Sequence, residues 1–305
     1  MSQHADQRTS RRTATQMVED VDLTGRTCVI TGASSGLGRE SAKALASAGA
    51  HVVLAARNVD ALNETTEWIR AAVPDARTSI VRLDLTSLAN VRAAAADIAD
   101  VAPAIDVLMN NAGVMFTPYG RTEDGFELQF GTNHLGHFVL TRLLELQLEA
   151  AAGARVVNLS SDGHHLDDVD MTDVSWDRRE YDKFRAYGAA KTANVLHAVE
   201  LDRRLRDRGI RAYAVHPGMV ATNLARHMSR DDVGSVMERA DAREIAMLKP
   251  AEGAATQVWA AVSPELAEIG GVYLSDCSVC TTVAPYAVDE ARARQLWDLS
   301  DSIAS

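Results

Sequence analysis

Short apolar runs alternate with longer amphipathic stretches from residue 26 to the end of the chain. Most of the runs are rich in Val, Ile and Leu without polar alternation, which is typical of strands buried on both faces. The predicted strands are 26–31, 51–56, 78–83, 105–110, 154–160, 211–216 and 271–275. The amphipathic stretches are long enough for crossover helices and cover 36–48, 59–72, 87–101, 124–150, 184–208, 251–262 and 288–302.

This alternation predicts an α/β fold, a single doubly wound domain of the Rossmann type. Its seven-stranded parallel sheet carries helices on both faces, because crossovers between parallel strands are right-handed. No linker rich in Pro, Gly or Ser divides the chain, so we expect one domain over 21–305. Within it, the weakly periodic segment 223–249 is predicted to be a lid over the substrate. Residues 1–20 are predicted to form a flexible tail.

Composition excludes several classes of protein. The apolar fraction of 47% fits a globular domain, and the absence of any run of about 20 apolar residues argues against a membrane span. A net charge of −11 disfavours nucleic-acid binding. Cys277 and Cys280 form a lone CxxC without the partners of a zinc site, and three cysteines do not make a disulfide framework. We therefore predict no metal and a reducing, cytoplasmic environment.

A glycine-rich turn follows the first predicted strand, in Thr31-Gly32-Ala33-Ser34-Ser35-Gly36-Leu37-Gly38. Glycines let the backbone turn sharply and approach a pyrophosphate, while the following helix offers free N–H groups and the positive end of its dipole. This strand–turn–helix context favours a dinucleotide site, although the spacing is not GxGxxG and a simple tight turn is the alternative. We assign Gly32, Ser34, Ser35, Gly36, Leu37 and Gly38 to cofactor binding.

The ends of the second and third strands are predicted to contact the adenosine. In GxGxxG folds, an acidic residue at the first of these places holds the ribose of NAD. Here the place is taken by Arg57, whose guanidinium can pair with a 2′-phosphate, unless it is an ordinary surface residue. Arg57 therefore favours NADP over NAD. Asp84 and Leu85 are assigned to the adenine edge, with a helix cap as an equally good explanation of Asp84.

Tyr187 and Lys191 are four positions apart in a predicted helix, so their side chains share one face. A phenol has a pKa of about 10, which a neighbouring cation lowers, and it can then exchange protons with an alcohol or carbonyl. A YxxxK pair also arises often by chance on a protein surface. Tyr181 has Arg185 at the same spacing, but a guanidinium binds a ribose hydroxyl less compactly than an ammonium does.

Ser160 and Ser161 end the fifth predicted strand, at the edge where such sheets bind ligands. A hydroxyl there can stabilise a developing alkoxide or simply cap a loop. Taken together, the motifs resemble those of the short-chain dehydrogenase/reductase superfamily over about residues 22–300. The ordered set is TGASSGLG at 31–38, NNAG at 110–113, Asn133, Ser161, Tyr187 with Lys191, and His216-Pro217-Gly218.

The resemblance implies a role for each residue. Tyr187 is expected to be the general acid/base, and Lys191 to lower its pKa and bind the nicotinamide ribose. Ser161 is expected to orient the substrate oxygen, and Asn133 to hold a water that relays protons to Lys191. The remaining positions that the resemblance assigns to the cofactor are Asn111, Ala112, Gly113, Pro217, Gly218, Val220 and Thr222.

Three phrases are most similar to the branch of retinol-dehydrogenase-like and WW-domain-oxidoreductase-like proteins: TNHLGHF at 132–138, YGAAKTAN at 187–194 and VHPG at 215–218. That branch implies NADP and a basic residue after the second strand, in agreement with Arg57. It does not imply retinol as the substrate. The resemblance also implies homodimers or homotetramers through the helices at 124–150 and 184–208, although a long C-terminal segment can block one interface.

The sequence therefore predicts an NADP(H)-preferring oxidoreductase that interconverts an alcohol and a ketone or aldehyde. The alternative is a dinucleotide-binding sensor or scaffold without chemistry, which the complete set of Asn133, Ser161, Tyr187 and Lys191 disfavours. Apolar residues in the lid suggest a hydrophobic substrate, while packing or oligomer contacts explain them equally well. The segment 162–183 is predicted to be an acidic loop beside the mouth of the site.

Overall fold

The computed structural model describes residues 12–220, 224, 228, 232 and 247–304. Strands in this part of the chain form one sheet in the order β3-β2-β1-β4-β5-β6-β7-β8. Their bounds are β1 Thr27–Thr31, β2 His51–Ala56, β3 Arg77–Arg82, β4 Val107–Asn110, β5 Arg155–Leu159, β6 Arg211–His216, β7 Val272–Ser275 and β8 Ser278–Val279. The parallel strands β1 to β7 confirm the seven predicted. The predicted strand number is corrected to eight, because the short antiparallel β8 has no apolar run to reveal it.

The helices of the described residues are α1 Gly36–Ser47, α2 Val59–Ala72, α3 Leu88–Val101, α4 Leu128–Phe130, α5 Gly136–Leu143, α6 Glu145–Glu149, α7 Lys183–Leu205, α8 Pro250–Gly253, α9 Ala255–Val262 and α10 Glu290–Ile303. The prediction of a single helix over 124–150 is wrong. A π-helical turn at Gly131–Leu135 separates α4 from α5, and the Gly136 N–H donates to the Gly131 carbonyl five residues back. Such turns are frequent at functional sites.

Successive side chains of one strand enter two different apolar layers. Val29 of β1 packs into the layer that includes side chains of α3, α5, α7 and α10, whereas Cys28 and Ile30 pack into the layer that includes those of α1, α2 and α9. Both faces of the sheet are therefore covered, which explains why the strands lack polar alternation.

The strand order reverses between β1 and β4, because the chain winds outward from β1 in one direction and from β4 in the other. Loops that follow these two strands diverge and leave a crevice at their carboxyl ends, which is where open α/β sheets bind ligands. The glycine-rich turn follows β1, and residues 111–113 follow β4. The topology thus brings these two predicted motifs to one crevice.

Residues 12–20 pack onto the domain, which corrects the predicted tail boundary at residue 20. Ala14 and Val18 are buried, and the Ala14 N–H donates to the Ala251 carbonyl at 2.7 Å. These short apolar side chains pack against α1 and α9, and no periodic apolar pattern in this segment predicts the contact. Residues 1–11 and most of the predicted lid at 223–249 lie outside the described residues.

Helix α10 lies across α5 and α7, the helices that the resemblance assigned to oligomer contacts. The Trp297 ring is 5.0 Å from the Phe138 ring, measured between centroids, and Ser300 Oγ is 2.9 Å from His134 Nε2. The C-terminal helix therefore covers part of that face. No helix within the described ranges combines the length and apolar content that crossing a bilayer requires.

Candidate active site

Tyr187 and Lys191 lie one turn apart on α7, and both are buried. Asp182 begins this helix by accepting hydrogen bonds from the N–H groups of its first turn, which fixes where the helix starts. The Lys191 ammonium nitrogen is 5.6 Å from the centre of the Tyr187 ring and donates to the Leu159 carbonyl at 2.9 Å. Since Leu159 ends β5, the pair is joined directly to the strand that leads to Ser161.

Ser161, and not Ser160, reaches the phenol. The Ser161 side chain lies beside Gly163 together with the Tyr187 ring, and it lowers the pKa of the phenol. The Ser161 hydroxyl accepts the Gly163 N–H at 3.1 Å. A Cβ atom at Gly163 would come within 2.7 Å of the Tyr187 ring, so only glycine lets the loop pass this closely. Ser160 instead donates to the Lys191 carbonyl at 2.9 Å, inside the core.

Burial sets the protonation of the pair. Desolvation raises the pKa of Tyr187 to about 12, and the hydrogen bond with Ser161 acts in the opposite direction. Desolvation also lowers the pKa of Lys191 to about 8. The Lys191 ammonium donates to the Leu159 carbonyl, and its lowering of the Tyr187 pKa stays a prediction. The Tyr187 phenol is therefore protonated at neutral pH.

Asn133 lies in the π-helical turn and is held by the loop after β4. Its Oδ1 accepts the Val114 N–H at 2.8 Å, and its Nδ2 donates to the Val114 carbonyl at 2.9 Å. A Cβ atom at Gly113 would lie 3.1 Å from Asn133 Oδ1 and 3.8 Å from Lys191 Nζ. Gly113, Asn133 and Lys191 therefore converge. The two hydrogen bonds with Val114 fix the orientation of the Asn133 side chain.

The glycine-rich turn fits the diphosphate of a dinucleotide. Gly32 and Gly36 have φ values of +68° and +55°, which favour glycine. A Cβ atom at Gly38 would lie 2.5 Å from the Gly32 carbonyl oxygen. Ser35 precedes α1 without making a side-chain hydrogen bond to it, so the helix begins with N–H groups available to an anion.

Thr31 ties the NNAG motif to this turn. Its Oγ1 accepts the N–H groups of Asn111 and Ala112 at 2.9 and 3.0 Å, and Asn111 Nδ2 donates to the Thr31 carbonyl at 2.7 Å. A Cβ atom at Gly32 would lie 2.8 Å from Ala112 Cα. The two loops that border the crevice thus form one hydrogen-bonded unit.

Arg57 and Arg82 line one open pocket where β2 and β3 end, together with Asn58, Val59 and Asp60. Both arginine side chains are exposed. Sequence reasoning missed Arg82, which ends β3 directly beside Ala56 of β2. In the sequence, Arg82 could have been noticed because it lies two positions before Asp84, but only the pairing of β2 with β3 shows that it neighbours Arg57.

Asp84 and Leu85 have structural roles at this edge. The Asp84 carboxylate accepts the Thr86 N–H at 3.0 Å and the Thr86 hydroxyl at 2.7 Å, which closes a turn before α3. Leu85 is buried, and a Cβ atom at Gly136 would lie 2.8 Å from its carbonyl oxygen. The turn closed by Asp84 is close to the helix cap that the sequence analysis gave as the alternative explanation of this residue. Leu85 packs in the core.

The turn after β6 reaches across to the glycine-rich helix. Gly218 has a φ of +79°, and Val220 pairs with Leu248 as an isolated bridge. A Cβ atom at Gly253 would lie 2.4 Å from Val220 Cγ2 and 2.9 Å from Leu37 Cδ2, so Val220 and Leu37 meet there. Pro217 precedes this turn. Thr222, assigned to the nicotinamide, lies outside the described residues.

One cluster in the segment 162–183 has the spacing of a metal site: Asp162, His164 and His165 offer ligand atoms within 4.8 Å of one another. His164, however, uses both ring nitrogens. Its Nδ1 bonds the Ser161 carbonyl at 2.8 Å, and its Nε2 accepts the Ala284 N–H at 3.1 Å. The histidine therefore braces the Ser161 loop.

The predicted acidic loop is largely neutralised by arginines. Asp167 pairs with Arg185 at 3.0 Å, and Asp168 pairs with Arg292 at 2.8 Å. Its carboxylates therefore fasten the segment to α7 and α10 rather than giving the mouth of the site a strong negative charge.

Comparison with known proteins shows which family this chain is similar to. The profile of the short chain dehydrogenase family matches residues 26–233. Short-chain dehydrogenase TIC 32 A, chloroplastic, from Brassica napus is 39% identical over 300 residues, which cover 95% of this chain and 92% of that protein. Retinol dehydrogenase 13 from Homo sapiens is 39% identical over 278 residues, 90% and 83% of the two chains.

The chain belongs to the short-chain dehydrogenase family. Its relatives place it in the retinol-dehydrogenase-like branch, which confirms that part of the sequence analysis. The solved structure of an uncharacterised protein from Mycobacterium paratuberculosis superposes with a TM-score of 0.75 at 34% identity, covering 94% of this chain and 96% of that one. A Beutenbergia cavernae protein described as an NAD(P)-dependent gluconate 5-dehydrogenase with bound NADP has a TM-score of 0.65 at 26% identity, covering 84% and 96%.

This short-chain dehydrogenase also holds its site with a buried polar network that sequence reasoning missed. Glu127 is fully buried and accepts the Tyr181 hydroxyl at 3.1 Å. Gln129 donates to the same hydroxyl at 2.9 Å and accepts the Phe116 N–H at 2.8 Å. Tyr181, set aside as a chance partner of Arg185, thus anchors the loop after β4.

That network holds Phe116 in a left-handed backbone conformation, with a φ of +52°. Non-glycine residues in this region are strained and cluster at functional sites. The Phe116 ring lies 4.6 Å from the Phe184 ring and 5.0 Å from the Tyr187 ring, measured between centroids. The sequence could have indicated Phe184 as a residue of the site, because it lies one helical turn before Tyr187. The position of Phe116 beside Tyr187 depends on a backbone angle that the sequence does not show.

Proposed function

We propose that this protein is an NADP(H)-preferring oxidoreductase that interconverts an alcohol and a ketone or aldehyde, with Tyr187 as the general acid/base. The observation that carries the proposal is the convergence of Tyr187, Lys191, Ser161 and Asn133 beside a cradle suited to a dinucleotide diphosphate. Membership of a dehydrogenase family supports the reaction class.

The nicotinamide, when bound, supplies or accepts the hydride, a reaction that protein side chains do not perform. The chain's own task is to hold the reactants and move the proton. The Tyr187 phenol, protonated at neutral pH, donates its proton to the carbonyl oxygen in reduction and takes it back in oxidation. The Ser161 side chain lies beside that phenol, so a substrate oxygen placed between the two hydroxyls receives two hydrogen bonds.

Lys191 and Asn133 return the proton to Tyr187. The Lys191 ammonium and the Asn133 side-chain oxygen both approach Gly113, and the proposal places one water between Lys191 and the nearby Asn133 main-chain carbonyl. Lys191 also offers donors to the nicotinamide ribose, because an ammonium has three hydrogens and one is used on the Leu159 carbonyl. This assignment follows the family's motif residue by residue and is part of the proposal.

The preference for NADP is supported by charge at the adenosine end. β2 ends in Arg57 instead of an acidic residue, and Arg82 lines the same pocket. Two guanidinium groups form charge-assisted hydrogen bonds with a phosphate and give a ribose hydroxyl no acceptor. The related structure described with bound NADP is consistent with this choice.

A hydrophobic substrate is supported by the aromatic side chains beside the phenol. The Phe116 ring packs against Tyr187, and the Phe184 ring packs against Phe116. A pocket of about 330 Å³ opens next to Phe184 and is also lined by Pro118, Tyr181, Asp182 and Lys183. An apolar group attached to the carbonyl carbon would lie against these rings and leave water there. The cytoplasmic location stays a prediction, since one relative is named as chloroplastic.

The experiment is a matched panel of carbonyl compounds, each small polar aldehyde or ketone paired with an aromatic or long-chain analogue, assayed with NADPH and with NADH. We expect oxidation of NADPH, highest with the apolar member of each pair. Tight binding of NADPH without turnover on any member, in either direction, would contradict the proposal and favour a dinucleotide sensor.

A further inference from the structure

The buried side chain of His137 connects Thr31, at the end of β1, to Asn133. It lies on α5, four residues after Asn133, and is only 2% exposed. Its Nδ1 is 3.0 Å from the Asn133 carbonyl oxygen, and its Nε2 is 2.8 Å from Thr31 Oγ1. Both ring nitrogens therefore have a partner in the machinery described above.

These partners determine which nitrogen carries the proton. The Asn133 carbonyl can only accept, so Nδ1 must be the donor. Thr31 Oγ1 already accepts the N–H groups of Asn111 and Ala112, which leaves its own hydrogen to be donated to Nε2. The Met109 carbonyl, at 3.4 Å, is a longer alternative acceptor for that hydrogen. The neutral imidazole with its proton on Nδ1 satisfies every group.

The hydrogen bonds that link the loop after β4 to Asn133 form a series in which every donor points in the same direction. They begin at the N–H groups of residues 111 and 112, pass through the Thr31 hydroxyl and His137, and end on the Asn133 carbonyl. Hydrogen bonds aligned in this way polarise one another, so the final carbonyl becomes a stronger acceptor. A carbonyl oxygen has two lone pairs, so it can accept a hydrogen bond from a water in addition to the one from His137.

We propose that His137 is a positioning residue for proton return to Tyr187, which fixes and polarises the Asn133 carbonyl so that it holds the relay water beside Lys191. This inference rests on the proposed function. His137 touches neither substrate nor cofactor and acts only through Asn133. The series of hydrogen bonds begins in the loop that borders the cofactor crevice, so the same contacts hold that loop and Asn133 in fixed positions relative to each other.

Electrostatics keep His137 in the form that this role needs. Burial lowers the pKa of His137 to about 4, the hydrogen bond to the Asn133 carbonyl opposes the change, and the charge of Lys191 adds to it. The imidazole is therefore neutral at working pH. A second positive charge here would also compete with the ammonium of Lys191 for the relay water.

Two isosteric variants separate the two contacts of the ring. The amide nitrogen of His137→Asn reaches the position of Nδ1 and keeps the donation to Asn133, whereas the amide of His137→Gln reaches the position of Nε2 and keeps only the Thr31 contact. We expect His137→Gln to lower kcat about tenfold, the factor that one hydrogen bond is worth, and to enlarge the solvent deuterium isotope effect on kcat. His137→Asn keeps the donation to Asn133 but loses the Thr31 contact, so it should lower kcat by a smaller factor, and KM for the cofactor should be unchanged in both.

A merely structural role gives a different pattern. Equal losses in the two variants, or a loss without any change in the isotope effect, would overturn the positioning role in an active enzyme. Nitrogen-15 NMR of the wild-type protein provides a test that needs no turnover. We expect a protonated Nδ1 and a bare Nε2 at neutral pH, and the reverse tautomer would overturn the inference whatever the activity. A protein with this tautomer but no turnover on any carbonyl would instead overturn the proposed function, and the positioning role with it.

Discussion

The Lys191 ammonium lies 5.6 Å from the centre of the Tyr187 ring, and its charge is buried with the Leu159 carbonyl as its hydrogen-bond acceptor. Burial alone lowers the pKa of this lysine to about 8. A charge held in this way destabilises the folded state, which is common where a site is built for chemistry rather than for stability.

Lys191→Met should therefore raise the stability of the protein while it removes turnover. The folded-state pKa of about 8 lies below the reference value of 10.5, a difference that corresponds to roughly 3 kcal/mol. Below pH 8 both states of the wild type are protonated, so the full penalty applies and the variant gains most. The gain should shrink between pH 8 and 10.5, where the folded lysine is neutral and the unfolded one is charged.

Urea unfolding at pH 7 and at pH 10, without cofactor, measures this effect. The Leu159 carbonyl keeps its hydrogen bond from Asn194 at 2.9 Å in the variant, so no buried acceptor is left alone there. Lys43→Met, at a partly exposed lysine paired with Glu40, is the control and should change stability little. A Lys191→Met protein that is less stable at pH 7 would contradict the account.

The cofactor preference should depend on both arginines of the adenosine pocket. Arg57→Ala and Arg82→Ala should each raise KM for NADP about tenfold, because each removes a charge-assisted hydrogen bond to the 2′-phosphate, and should leave KM for NAD nearly unchanged. Arg77→Ala is the matched control, since Arg77 begins β3 and Arg82 ends it. Equal changes for the two cofactors would mean that the arginines do not meet the phosphate.

Phe184→Ala should shift the choice of substrate. Alanine is a good helix former, so the substitution leaves α7 intact, while the apolar surface next to Tyr187 is lost. We expect kcat/KM for aromatic or long-chain carbonyls to fall at least about tenfold, the worth of a phenyl contact, with little change for the smallest carbonyls. Tyr119→Ala, at an aromatic ring that is 46% exposed, serves as control. A uniform loss across substrates would count against a specificity role.

Acid should unfold the protein through its buried histidines. Burial lowers the pKa of His197 to about 3 and that of His164 to about 4. The unfolded chain takes up these protons as the pH falls through about 6.5, whereas the folded protein does not, so stability is present above that pH and is lost progressively toward pH 4.

His197→Asn should flatten this dependence, because asparagine at 197 cannot be protonated and can still accept the hydrogen bond that Asn158 Nδ2 makes to His197 Nδ1 at 3.2 Å. The measurement is the slope of Tm between pH 7 and pH 4.5, which is independent of any constant loss of stability in the variant. An unchanged slope in His197→Asn would contradict the assignment.

The sheet was predictable because strands such as β1 and β2 are buried on both faces and carry continuous apolar runs. The glycine-rich turn and the Tyr187–Lys191 spacing were predictable because each motif has its own local geometry. The π-helical turn around Asn133 was not, since its apolar spacing differs little from that of an α-helix. Arg82 and Phe116 gain their positions from strand pairing and from a strained backbone angle, neither of which a single sequence displays.

The central claim is that Tyr187 transfers the proton, and Tyr187→Phe tests it most directly. The variant keeps the ring that packs against Phe116 and removes only the phenol hydroxyl. Its kcat should be measured with the best carbonyl of the panel, together with the Kd for NADPH from fluorescence quenching. We predict a fall in kcat of about 10²–10⁴-fold with an unchanged Kd, the loss typical of a missing general acid. A kcat close to that of the wild type would contradict the account.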